Sequence, residues 1–96
     1  MQRFAILLKF TDHGLSQVKN SPIRASTFKT AALKVGVTVE TQYWLLGEYD
    51  GLAIISAPDE NAATIAALQL SSLGNVRTQV CRAFDEAEMR AIVAKV

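Results

Sequence analysis

The sequence has few of the residues from which catalytic and metal centres are usually assembled. There is a single cysteine, Cys81, so no disulfide forms within the chain, and a single histidine, His13. A zinc-type centre takes three or four Cys, His or carboxylate ligands, and here it would need ligands from two chains. No Walker-type phosphate loop, dinucleotide glycine pattern or Ser-His-Asp set is present, so no cofactor is expected. Charge of one sign is also missing: ten Lys and Arg face nine Asp and Glu, and the net charge is +1. A nucleic-acid binder carries a basic stripe, and without one nucleic acid is not an expected partner. No apolar run approaches the roughly 18 residues of a membrane span, so no membrane association is expected. The apolar run Phe4–Leu8 behind Arg3 is shorter than the core of a secretory signal, and no small-residue cleavage site follows it. The expectation is a cytoplasmic protein.

What the chain has in excess is apolar surface. Half of its 96 residues are hydrophobic. A single domain of this length, residues 1–96, buries only about two-thirds of the surface its unfolded chain exposes. Some of the remaining apolar surface must lie against another chain or a ligand, so a homo-oligomer is the first inference about partners.

Residues 3–10 are too short for a stable helix and bulky enough for a strand, with Phe4, Ile6, Leu8 and Phe10 on one wholly apolar face. Thr11 and Asp12 offer cap oxygens for a short helical turn. Ser21-Pro22 starts a longer helix with Ser21 as N-cap, and Ile23, Ala25, Phe28, Ala32 and Val35 recur along it until Gly36. Val37–Leu46 alternates as a strand, which places Gln42, Trp44 and Leu46 on one face and Thr41, Tyr43 and Leu45 on the other. Leu52–Ala57 is the next strand. A second helix follows over Asp59–Leu73, whose alanines, Ile65, Leu68 and Leu70 are expected to pack on a sheet. Gly74-Asn75 makes a turn into a fourth strand, Val76–Phe84. Asp85 and Glu88 match a capping box, and Met89, Ile92, Val93 and Val96 form a narrow apolar stripe on a closing helix.

The order β-α-β-β-α-β with an added C-terminal helix is the ferredoxin-like split βαβ arrangement, an α+β fold. Right-handed crossovers place both long helices on one face of a four-stranded antiparallel sheet and leave the other face bare. Alternation assigns Lys9, Leu7, Gln42, Trp44, Leu46, Ile55, Arg77, Gln79 and Cys81 to that bare face. A one-residue bulge in any strand would exchange its two sets. Two such faces packed together would give a homodimer, a dimeric α/β barrel.

Several segments carry a resemblance. Phe10-Thr11-Asp12 with Gly14, Ser21-Pro22 with Arg24, Gly47-Glu48-Tyr49-Asp50, and Ser72 to Thr78 with Arg82-Ala83-Phe84 together resemble the GYD family. The family comprises small bacterial and archaeal proteins named for the Gly-x-Tyr-Asp segment, and the likeness covers nearly the whole chain. It implies the same ferredoxin-like, dimeric α/β-barrel fold and leaves the activity open.

Six residues are candidates for a ligand site. Lys9, Arg77 and Cys81 share the bare face, where two cations partly enclosed in a barrel suit a carboxylate or phosphate. They could equally pair with Glu40 of the same sheet or of a partner chain. Trp44 is either a pocket wall or dimer-core packing. Tyr49 and Asp50 could orient a ligand or move a proton at the barrel rim. Asp50-Gly51 is also a strong turn dipeptide, and a structural role is favoured. The hairpin loop is either Gly47-Glu48 alone or Gly47 to Gly51. Arg82 is expected to bond helix or loop carbonyls, or to pair with Asp50. No spacing demands chemistry, and the catalytic residues are unknown. The favoured reading is a homo-oligomeric module that binds a small molecule or a protein at the barrel or its rim. The alternative is a cofactor-free enzyme of the dimeric α/β-barrel type, monooxygenase-like or isomerase-like.

Overall fold

The computed structural model describes residues 1–96. Strand β1 (Gln2–Phe10) is followed by a one-turn helix α1 (Asp12–Ser16), a 3-10 turn over Val18–Asn20 and helix α2 (Ser21–Leu33). Then come β2 (Thr38–Trp44), β3 (Gly51–Ala57), α3 (Glu60–Ser71), β4 (Val76–Ala83) and α4 (Glu86–Val93). The four strands form one antiparallel sheet in the order β2-β3-β1-β4. This is the expected ferredoxin-like α+β topology, with α2 and α3 packed on one face.

The core lies between the sheet and these two helices. Phe4 and Ile6 of β1, Val39 of β2, and Ala53, Ile55 and Ala57 of β3 meet Phe28 and Ala32 of α2. Four alanines of α3, Ala62, Ala63, Ala66 and Ala67, bring its backbone close to the sheet. Leu70 packs against the edge of this cluster as expected, whereas Ile65 and Leu68 point outward and are exposed.

Three expectations about which residues face where are corrected. The pairing of β2 with β3 shifts between Val39 and Thr41, a bulge centred on Glu40. It exchanges the two sets of side chains beyond that point. Gln42 pairs with the helix-facing Ala53 and donates to the Ala25 carbonyl of α2 at 3.3 Å. Trp44 pairs with Gly51 and its indole N–H donates to the Ser21 hydroxyl at 3.1 Å. Gln42 and Trp44 therefore lie on the helix side, and Tyr43 takes the bare face with Leu52. Ile55 is fully buried on the helix side because its partner across the ladder is Phe4. Leu46 lies outside β2, in the hairpin loop, and is fully exposed.

The start of α2 also differs by one residue. Asn20 is the N-cap and makes no side-chain cap bond, Ser21 begins the helix and Pro22 sits in its first turn. Ser21 uses its oxygen to accept from Trp44 instead. At the C-terminus the capping box forms as read: Asp85 accepts the Glu88 N–H at 2.8 Å and Glu88 accepts the Asp85 N–H at 3.1 Å. The bond from the Glu88 N–H, helped by the nearby Arg3 guanidinium, holds the Asp85 carboxyl below its usual range. Nevertheless α4 has no buried residue, and Met89, Ile92, Val93 and Val96 are exposed.

Gly14 in α1 shows how closely the chain is fitted at one end of the sheet. A Cβ on Gly14 would stand 1.8 Å from the Asn75 carbonyl oxygen, so the backbone itself would have to move. Gly14→Ala is expected to destabilise the protein by about 1–3 kcal/mol or more, the range for forced overpacking. Urea unfolding of the two proteins measures the difference.

Candidate functional site

The segments singled out in the sequence converge at the end of the sheet where β1 finishes. Strands β2 and β3 are joined by residues 45–50, a loop closed by the Leu45 N–H donating to the Asp50 carbonyl at 2.9 Å. It is longer than a two-residue turn because Asp50 is drawn away to β1. Its N–H donates to the Leu8 carbonyl at 2.8 Å, and its carboxylate accepts the Phe10 N–H at 2.8 Å. On the other side of β1, the Thr11 hydroxyl donates to the Gly74 carbonyl at 2.6 Å. The Thr11 N–H donates to the Asn75 carbonyl at 3.1 Å, and Thr11 also caps α1 by accepting the Gly14 N–H at 3.0 Å. Phe10-Thr11, Asp50 and Gly74-Asn75 are thus bonded together. Their shared function is architectural: they fasten the β2–β3 hairpin and the α3–β4 turn to the end of a central strand.

The six candidate residues do not form one site. Lys9 and Arg77 are direct neighbours across the β1–β4 ladder on the bare face, both exposed and without a carboxylate within 4.0 Å. Cys81 is a half-buried free thiol on the same face, opposite Ala5. Tyr49 donates its phenol proton to the Gln79 side chain at 2.8 Å. Since β1 lies between β3 and β4, the ring of Tyr49 crosses β1 on this face. Trp44 and Asp50 belong to the opposite side. Arg82 bonds backbone carbonyls, but those of Arg3 in β1 and Ala83 in β4 rather than of a helix or loop, and it contacts Glu88 at 3.6 Å. Its guanidinium also lies over Phe4 and Phe84. It does not pair with Asp50, which sits at the other end of β1. His13 is exposed in α1 and no cluster of three or more His, Cys, Asp or Glu is formed.

Two surfaces remain for partners. One is the bare sheet face, where Ala5, Leu7, Leu52 and Ile54 stay half-buried and Tyr43 is 59% exposed. Glu40, bonded by the Ser56 hydroxyl at 2.8 Å, stands at the corner of this face diagonal to Lys9 and Arg77. The other is a cleft of about 180 Å³ on the helix side, between α2 and the end of α3. Leu8, Phe10, Gly51 and Val76 form its floor, and Phe28, Leu70, Leu73 and Trp44 its walls. The cleft was not legible in the sequence. Its signal was the spacing Ser21, Arg24, Ala25, Phe28, one stripe of α2 by the i, i+3, i+4, i+7 rule, which is mixed in polarity and so does not read as a core face.

Fold and surface define a ferredoxin-like α+β protein with an uncovered sheet face and a separate apolar cleft. The model of the GYD domain matches residues 4–93, and the chain belongs to the GYD family. It is 32% identical over 92 residues to a protein of Thermus thermophilus described as a glutamine synthetase and cystathionine beta-lyase binding protein. The match covers 95% of this chain and 97% of that protein.

Asp50→Ala removes the acceptor of the part-buried Phe10 N–H, a loss worth about 1–3 kcal/mol, whereas Asp50→Asn keeps a carbonyl acceptor and is expected to lose less. Equilibrium unfolding of the three proteins checks the order.

Proposed function

We propose that the protein is a homodimeric module that binds other proteins, metabolic enzymes foremost. The observation that carries this reading is the likeness, along nearly the full length of both chains, to a relative named for binding glutamine synthetase and cystathionine beta-lyase.

The bare sheet face is the surface for the second copy. Ala5, Leu7, Leu52, Ile54 and Tyr43 give it an apolar centre, of the kind that isologous interfaces bury. Its charges support self-complementarity. A two-fold axis lying in the interface along one diagonal brings Lys9 and Arg77 of each copy against Glu40 of the other. Packing in this way closes the two sheets into a dimeric α/β barrel and leaves the helices outward for a third partner. The cations of the candidate site then act as interface residues.

Sedimentation at about 10 µM, a concentration at which a stable homodimer is populated, is expected to give twice the 10.4 kDa chain mass, and Ile54→Asp to give the single chain with its circular dichroism unchanged. A monomeric wild type contradicts the dimer. Calorimetric titration against the glutamine synthetase and the cystathionine beta-lyase of the same organism tests the binding role. Saturable binding to either is expected, and heats of dilution alone with both would overturn it.

A further inference from the structure

The cleft between α2 and α3 is on the opposite side of the sheet from the proposed dimer interface, so pairing of the sheets leaves it open to solvent. Its floor and walls are apolar, and its volume of about 180 Å³ exceeds the roughly 150 Å³ of an engineered apolar cavity that takes up benzene. A single aromatic ring or a branched chain of similar bulk fills such a space.

Of its polar side chains, Ser21, Arg24 and Thr27 stand on one stripe of α2, whereas Gln42, Asp50, Gln69 and Asn75 come from the strands, α3 and the loops, and the Asp50 carboxylate is engaged by the Phe10 N–H. Ser21 and Arg24, three residues apart, stand one turn from each other and face the same way. The Arg24 guanidinium has no carboxylate partner in the chain. It donates from Nη1 to the Gln17 carbonyl at 2.9 Å and from Nη2 to the Gly14 carbonyl at 3.5 Å. These two bonds fix the plane of the group and leave three of its five N–H donors free. Ser21 is 8% exposed; its oxygen accepts the Trp44 indole N–H, and its own proton is given to no acceptor in the chain. A braced guanidinium beside a buried hydroxyl donor, at the edge of an apolar pocket, suits a carboxylate joined to an apolar body.

We propose that the α2–α3 cleft is a binding site for a small apolar carboxylic acid. The ring or branched chain lies on Leu8, Phe10, Phe28 and Leu70, and the carboxylate is bound by Arg24 and Ser21. This goes beyond the protein-binding role and does not depend on it: Tyr43 and Leu52 border both the cleft and the sheet face, but Arg24 and Ser21, which hold the acid, stand on α2.

Trp44 is the only tryptophan of the chain and lines the cleft, so its fluorescence reports on occupancy directly. Phenylacetate, 3-phenylpropionate and 4-methylpentanoate are the probes, and phenylacetamide is the uncharged control. A saturable change in Trp44 emission is expected with at least one acid at sub-millimolar concentration, with the amide at least about tenfold weaker, a difference of about 1.4 kcal/mol. Arg24→Gln is expected to weaken the acid about tenfold and leave the amide unchanged. Ala31→Phe, which fills the cleft from α2, is expected to abolish both responses. Thermal melts and circular dichroism of each variant establish that it is folded. Absence of any saturable response to all three acids would overturn the proposal. So would equal binding of phenylacetamide, or binding of the acid unaltered in folded Arg24→Gln. None of these three results bears on enzyme binding, which calorimetry measures separately.

Discussion

The Asp50 carboxylate accepts the backbone N–H of Phe10, the last residue of a central strand, and much of the structure follows from that bond. Phe10 is where β1 stops pairing and its N–H needs another partner. By supplying it from the β2–β3 hairpin, the chain ties that loop to a central strand of the sheet, 40 residues away in sequence. The next residue, Thr11, is held to Gly74 and Asn75, so both the hairpin and the turn after α3 are fixed to one short stretch of backbone. Gly14 completes the junction because only a residue without Cβ can approach Asn75 so closely.

This junction gives the family's Gly-x-Tyr-Asp segment a physical meaning. Asp50 is a connector between strands, and Tyr49 is a lid over β1 whose hydroxyl is spent on Gln79. The same junction shapes the cleft on the helix side, since Phe10, Asp50, Gly51 and Asn75 are all part of its lining. It also positions Lys9 and Arg77 on the opposite face.

The topology was readable from the sequence because each strand and helix has a plain period and a plain stop: the four apolar alternations of β1, the Gly36 and Gly74 turns, and the Asp85–Glu88 box. The faces of β2 were not, because one extra residue at Glu40 inverts every later side chain and no glycine or proline marks it. Ile55 was misplaced for a related reason. Leu52–Ala57 is apolar on both faces, and only its pairing with Phe4 decides which is inside. Candidate residues chosen by alternation alone therefore scattered over two surfaces. The cleft is not legible in the sequence because it is formed by residues from four strands and two helices, and the stripe of α2 that carries Ser21 and Arg24 has no strong amphipathic pattern.

The central claim is that Asp50 serves the architecture of the strand end, and amide hydrogen exchange at Phe10 tests it most directly. If the bond is integral to the fold, the Phe10 N–H is expected to be protected to the level of mid-strand amides such as Ile6, and Asp50→Ala to abolish that protection while Ile6 stays slow. Exchange of Phe10 in the unmodified protein at the rate of exposed loop amides such as Glu48 would contradict the account.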